Sequence, residues 1–297
     1  MEMPRMRWRG SILTLVLAFS SLPSAEASVG DSSPVYRECT YKCGEALDCP
    51  VPFFSNVAWA HGECFWCRYE CLWQAVAVFE RMGFGIPQFH GKWPFVATIW
   101  AQEPASTLFS LANLLAVNEM RRRLGRIGNL ELRGVWTVYT WVGIVTWFCS
   151  AWFHATDHWT SERADYFSAF AFVLYALFAA LLFVFQRLRK PAIMYSVALC
   201  LFLFYAVHIR GLLIHFHYGY NMAVCIGCFR QSDRTLLLLL TWTVASVSLE
   251  LMDFVPLWYI VDAHALFHAA TIPVPLFTAQ FLLQKYEESM GDYKRII

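Results

Sequence analysis

Charge is scarce in this chain. Only 15% of its residues are Asp, Glu, Lys or Arg, and they sum to a formal net charge of +1. Soluble domains carry about 25% charged residues, so a solvated globular surface is excluded. The near-zero balance and the lack of a basic patch with interleaved aromatics exclude nucleic acid as a partner. No Asn-x-Ser/Thr sequon occurs, so N-glycans are not expected. No internal repeat and no low-complexity tract is found. What fills the chain instead is hydrophobic sequence, 58% of all residues, in runs of membrane-spanning length.

The first residues have the form of a secretory signal. Arg5, Arg7 and Arg9 precede a short apolar core from Ile12 to Leu22, and Ala25-Glu-Ala27 supplies small residues for cleavage. Residues 1–27 are therefore expected to be removed, leaving a lumenal start near Ser28. Behind them, Cys39, Cys43, Cys49, Cys64, Cys67 and Cys71 crowd into one stretch. An even cluster behind a signal peptide points to a disulfide-stapled lumenal segment over 28–92, with its pairing left open among 15 possibilities. Little regular structure is expected there. Cys64-Phe-Trp-Cys67 would otherwise be a redox or zinc pair, but no matching context surrounds it. Cys149 and Cys200 lie in apolar runs and are expected to be packed thiols. Cys225 and Cys228 suggest no role.

The membrane domain is expected over 93–284, with a cytosolic tail over 285–297. Seven apolar stretches run roughly over Ala105–Met120, Val135–Phe153, Asp165–Gln186, Ile193–Ile209, Gly211–Phe229, Leu236–Phe254 and Leu257–Leu283. With the N-terminus in the lumen, Arg121, Arg122, Arg123, Arg126, Arg133, Arg187, Arg189, Lys190, Arg230 and Arg234 fall in cytosolic loops, and Lys285, Lys294 and Arg295 in the tail. The lumenal loops hold almost only Arg163 and Arg210, which agrees with the positive-inside rule. The expected fold class is all-α: an integral membrane protein of seven transmembrane helices behind a short Cys-rich segment.

This topology gives depth to polar residues that are costly inside a membrane. His264 and His268, four apart, share a helix face at the lumenal start of the seventh stretch. Ser150 and His154 do the same at the lumenal end of the second. Asp165 opens the third, and Glu250 and Asp253 close the sixth, at the same depth. Three imidazoles from two helices match a catalytic zinc site, in which three protein ligands leave a fourth position open. His154, His264 and His268 are the expected ligands. Asp165 is the expected general base or ligand-orienting carboxylate, and Ser150 an oxyanion donor. His158 and Asp157 belong to a solvated loop, whereas His208, His215 and His217 are interhelical or substrate-contacting. His61 and His90 carry no signal. Glu103 and Asn113 either bind a cation or, more simply, cap and bridge helices.

Ser150-x-x-x-His154, Asp165 and His264-x-x-x-His268 resemble the CREST superfamily of seven-span hydrolases, which includes alkaline ceramidases and the progestin and adiponectin receptors. Within it the chain is similar to the Per1-like branch. The supporting pieces are the Cys-rich segment, Gln102 to Asn113, His217-Tyr-Gly-Tyr-Asn-Met222, and Leu249 to Phe254 ahead of Asp262-Ala-His-Ala-Leu-Phe-His268. Val255 and His217 depart from the branch's usual Pro and acidic residue without touching the expected ligands. The resemblance implies zinc-dependent, phospholipase A2-like removal of the sn-2 acyl chain from the inositol phospholipid of GPI-anchored proteins. It also implies residence in the ER or Golgi membrane; Lys294-Arg-Ile-Ile297 is similar to a dibasic retrieval signal. Two other readings remain within the superfamily: ceramide amide hydrolysis, and a receptor or chaperone with structural zinc.

Overall fold

The computed structural model describes residues 28–50, 57–127, 130–214 and 234–296. The expected signal peptide, His215, His217, Cys225, Cys228 and most of the fifth apolar stretch lie outside them. Among the described residues the chain is helical, with two isolated β-bridges and no strand. The helices are α1 (Val29–Ser32), α2 (Pro34–Ala46), α3 (Gly62–Arg81), α4 (Pro104–Gly125), α5 (Arg133–Ala155), α6 (Trp159–Val184), α7 (Pro191–Ile214), α8 (Arg234–Glu250), α9 (Ala263–Thr271) and α10 (Pro273–Ile296).

The Cys-rich segment is not irregular, contrary to the sequence expectation. It is a hairpin of α2 and α3 closed by three nested disulfides: Cys39–Cys71, Cys43–Cys67 and Cys49–Cys64. Cys39 and Cys43 stand one turn apart on α2, and Cys67 and Cys71 one turn apart on α3, so each pair offers two sulfurs on one face. Cross-links supply what two polar helices lack in apolar stripe. A small core of Tyr36, Trp59, Ala75, Val76 and Phe89 packs around the sulfurs. Cys64 and Cys67 bond to different partners, which removes the redox-pair reading.

Helices α4, α5 and α6 run up and down through short connections, and α9 and α10 pack against α4. Their pattern is inverted relative to a soluble bundle. In the first half of α4 Ser106, Thr107, Ser110 and Asn113 are buried, while Leu108, Leu111 and Leu115 are exposed. On α5, Val138, Trp141, Val145 and Phe148 are exposed. A helix that hides polar groups and shows leucine is suited to lipid. By length and apolarity alone, three segments qualify as membrane-crossing: Trp159–Val184, Pro191–Ile214 and Ala263–Glu288. Polar side chains dilute α4, Trp, Tyr and Thr dilute α5, and α8 has 17 residues. Cys200 is exposed on α7 rather than packed.

Gly143 shows how closely the elements approach. A Cβ on Gly143 of α5 would meet Phe172 and Val117 side chains at 3.1 Å. At the end of α4–α6 remote from the cysteines' hairpin, Met120, Leu124, Trp136, Tyr139, Ala179 and Phe281 form the larger apolar core. The opposite end holds the N-terminus of α4, the C-terminus of α5 and the N-termini of α6 and α9. The antiparallel connections alone bring these ends to one level.

Candidate metal centre

At that level three imidazoles meet. Their candidate ligand nitrogens all lie within 4.8 Å of one another, in a group formed by His154, His264 and His268. His264 Nε2 is 3.2 Å from His154 Nε2 and 2.8 Å from His268 Nε2. His264 and His268 are presented by a nine-residue helix that Asp262 caps, its carboxylate accepting from the Ala265 N–H at 2.8 Å. The helix breaks at Ile272, because Pro273 has no N–H to continue the ladder. The Ile272 N–H turns to the Ala269 carbonyl at 3.3 Å, and the His268 carbonyl it leaves is taken by the Asn113 amide (2.7 Å) and the Thr271 hydroxyl (2.9 Å). Asn113 is thus the strut between α4 and α9.

Two carboxylates orient the rings. His154 Nδ1 lies 2.6 Å from Glu103 Oε2, and His264 Nδ1 lies 2.6 Å from Glu250 Oε2. Imidazole Nδ1–H donating to carboxylate leaves Nε2 as the lone-pair nitrogen. Bare lone pairs facing each other across about 3 Å repel, so the cluster calls for a cation between them. The donor set fits a zinc ion: neutral imidazoles in a nearly buried pocket with carboxylates behind them. Glu103 is held beside His154 by the backbone as well. The N–H groups of Gln102 and Glu103 donate to the carbonyls of Ala155 and His154, at 3.1 and 3.0 Å, which closes the C-terminal end of α5.

Glu103 shares its other oxygen with Lys92, whose Nζ is 2.6 Å from Glu103 Oε1, 2.8 Å from Asp157 Oδ2 and 4.1 Å from the Phe153 ring centre. Burial works against the charge on Glu103, yet Lys92 beside it holds the carboxyl well below the usual range. Burial likewise opposes the Lys92 charge, and Asp157 and Glu103 together outweigh it and raise the ammonium.

Asp165 does not open its helix. Trp159 does, behind His158, whose side chain caps the Thr160 and Ser161 amides. Asp165 therefore sits more than a turn inside α6, buried beside the Ser150 side chain. Ser150 Oγ is also 3.1 Å from Ser110 Oγ of α4. Ser110 was not singled out from the sequence. Its signal is there in hindsight: Ser106, Ser110 and Asn113 fall at i, i+4 and i+7 of an otherwise apolar helix. The sequence shows Glu250 as a polar residue at the right depth without its partner, and Glu103 as a cation-binding or helix-capping residue only. Lys92 gave no sign beyond being a lone cation ahead of the first apolar stretch. Asp253, grouped with the site by depth, instead accepts from Trp93 Nε1 at 2.6 Å on an exposed surface. His208 is buried against Phe170 on a neighbouring helix.

Access is one-sided. The His154 side chain is 1% exposed and that of His264 is 29% exposed, so approach from outside is over His264.

Comparison with known proteins gives the family. The Per1-like family model matches residues 55–231 and 229–286. The chain is 34% identical to a zebrafish (Danio rerio) protein named "GPI-specific phospholipase A2-like PGAP3", over 90% of this chain and 93% of that one. It is 34% identical to the Homo sapiens protein of that name, over 96% of this chain and 99% of its relative. A Drosophila melanogaster relative, "Post-GPI attachment to proteins factor 3", is 31% identical over 89% and 91%. No solved structure matches. The chain belongs to the Per1-like family.

Proposed function

We propose that the chain is a zinc-dependent lipid ester hydrolase that removes the sn-2 acyl chain from the inositol phospholipid of GPI-anchored proteins. It would do so from the lumenal face of the ER or Golgi membrane. The observation that carries the reading is the convergence of three imidazoles beside a serine–aspartate pair, in a chain whose relatives are named GPI-specific phospholipase A2-like. The domain reading that goes with it is a signal peptide over 1–27, the hairpin segment over 28–92, seven spans over 93–284 and a cytosolic tail over 285–297. The inverted burial on α4 and α5 supports counting both as spans in addition to the three most apolar segments.

His154, His264 and His268 would hold the zinc, with Glu103 and Glu250 orienting two of the rings. When bound, the ion polarises the ester carbonyl or activates water at neutral pH. Asp165 is the group to take a proton from the attacking water. The proton count on the serines then matters. Ser150 has one hydroxyl hydrogen, which can be given either to Ser110 Oγ or to an ionised Asp165 beside it. Once Asp165 has accepted a proton it is a poorer acceptor, and the Ser150 hydroxyl is free to turn to the oxyanion of the tetrahedral adduct. Ser110 gives its own hydroxyl hydrogen to the Ser106 carbonyl at 2.8 Å, so at 3.1 Å its Oγ is an acceptor for the Ser150 hydroxyl and holds it near the site. Breakdown of the adduct breaks the acyl C–O bond and sends the proton from Asp165 to the departing lysolipid alcohol, leaving a free fatty acid.

Ser150 and Asp165 beside the three histidines favour hydrolysis over a receptor or chaperone with structural zinc, and product release in a detergent assay separates the two. In cells lacking the endogenous activity, Asp165→Asn at normal expression is expected to leave GPI anchors with their original unsaturated sn-2 chains. Normal remodelling by this variant refutes the assignment.

A further inference from the structure

The disulfide hairpin takes no part in the chemistry above, yet one path of contacts leads from it to a metal ligand. It begins at α1 and α2. Asp31 accepts from the His90 backbone N–H at 2.9 Å and lies 2.9 Å from His90 Nδ1, while Tyr36 Oη is 3.0 Å from His90 Nε2. A neutral imidazole satisfies both ring contacts, donating from Nδ1 to Asp31 and accepting from the Tyr36 hydroxyl at Nε2. These three bonds pin His90 in left-handed conformation, φ +54°, followed by Gly91 at φ +76°. Positive φ at both central positions makes a tight two-residue turn, closed by paired bonds between Phe89 and Lys92 at 2.7 and 2.9 Å. Glycine meets that demand freely and histidine does not. The turn is therefore held by its contacts with the hairpin rather than by its own preference.

What the turn delivers is Lys92. Its ammonium bridges Glu103 and Asp157, on either side of the His154 end of α5, and rests over Phe153. Glu103 in turn gives its second oxygen to His154. A carboxylate with one oxygen anchored cannot swing about its χ angles, so the direction of its remaining lone pairs is set by Lys92.

We propose that Lys92 is a positioning residue for the metal centre and that the disulfide-stapled hairpin is the mount that holds it. The lumenal segment then serves to fix the orientation of His154 through the His90–Gly91 turn, Lys92 and Glu103. This rests on the zinc reading above. Outer-shell partners of metal-bound histidines typically carry a 10–100-fold effect on metal affinity. Lys92 acts through such a partner, Glu103, so Lys92→Met in the full-length protein, purified in detergent, is expected to weaken zinc binding by about tenfold, the lower end of that range, in competition with a chelator. The visible spectrum of the cobalt-loaded protein should shift with it. Lys92→Arg, which can still bridge two carboxylates, should restore most of both. A Lys92 that merely stabilised the fold would lower the melting temperature and leave zinc affinity and the cobalt spectrum where they are, and that result overturns the proposal.

If Lys92→Met does not fold, His90→Gln decides in its place: weaker zinc binding supports the mount, and wild-type affinity with a wild-type cobalt spectrum overturns it. A wild-type protein that takes up no zinc overturns this proposal and the metal reading together, whereas wild-type zinc uptake with an unaffected Lys92 variant overturns this proposal alone.

Discussion

Replacing Glu250 by Gln changes one atom of the site and keeps its shape. Glu250 Oε2 receives His264 Nδ1–H at 2.6 Å, and 5% of the Glu250 side chain is exposed, so solvent screens this contact little. Gln can still accept from Nδ1–H through its amide oxygen. What is lost is the charge, and a charge-assisted hydrogen bond is about twice as strong as a neutral one. Ligand basicity falls with it. A drop of about 10–100-fold in zinc affinity is expected, equivalent to about 1.4–2.7 kcal/mol. Glu250→Ala should cost more, because it also strands a largely buried N–H, at about 1–3 kcal/mol. Chelator competition on the purified proteins measures both, and the order wild type, Gln, Ala is itself a prediction. Gln binding zinc as tightly as wild type would refute the claim that the carboxylate orients and strengthens this ligand.

Other consequences can be checked separately. Ser110→Ala removes the neighbour of Ser150 and is expected to slow acyl release by about tenfold or more while zinc content stays at wild-type level, as an oxyanion-donor support should; loss of zinc instead would assign Ser110 to the metal. Opening the Cys43–Cys67 bridge with paired serines, while Cys49–Cys64 and Cys39–Cys71 stay closed inside and outside it, opens a ring of about ten residues. The hairpin should lose about 3 kcal/mol, read by hydrogen exchange on the intact protein. The hairpin should also be sensitive to acid. Burial presses the His90 imidazole below its usual range in spite of the adjoining Asp31, so its contribution is complete above pH 6.5 and declines as pH falls through the depressed value. Burial opposes the Asp31 charge, but the His90 side-chain and backbone contacts outweigh it and keep the carboxyl below 3.8, which adds a second loss at lower pH. Exchange protection around 29–46 should therefore fall on acidification from neutral, and His90→Gln should flatten the first part of that fall. Protection that rises toward pH 5 would contradict the sign.

The three-histidine cluster was legible because topology and periodicity are both written in sequence. Arginines and lysines give the orientation, four-residue spacing puts His264 with His268 and Ser150 with His154, and antiparallel spans bring the two pairs to one end. Reading the partners was harder. Glu103 reaches His154 through a non-helical stretch ahead of Pro104, and its position depends on two backbone hydrogen bonds across 51 residues of chain. No periodicity encodes such a contact. Asp165 was displaced because its helix starts at Trp159, where an aromatic and charged first turn hides the boundary from hydropathy while His158 and Ser161 cap it. The hairpin was missed for a different reason. Its helices owe their order to cross-links, so the useful signal was the repeated four-residue cysteine spacing, not an apolar stripe.

The central claim is that three histidines and an aspartate–serine pair cleave a lipid ester. Purified protein in nanodiscs, given a GPI-anchored protein with a labelled unsaturated sn-2 chain, tests it most directly. The account predicts release of the labelled fatty acid by the zinc-loaded wild type, abolished by His268→Ala and by chelation and restored to the wild type by added zinc. Fatty acid release by His268→Ala at the wild-type rate would contradict it.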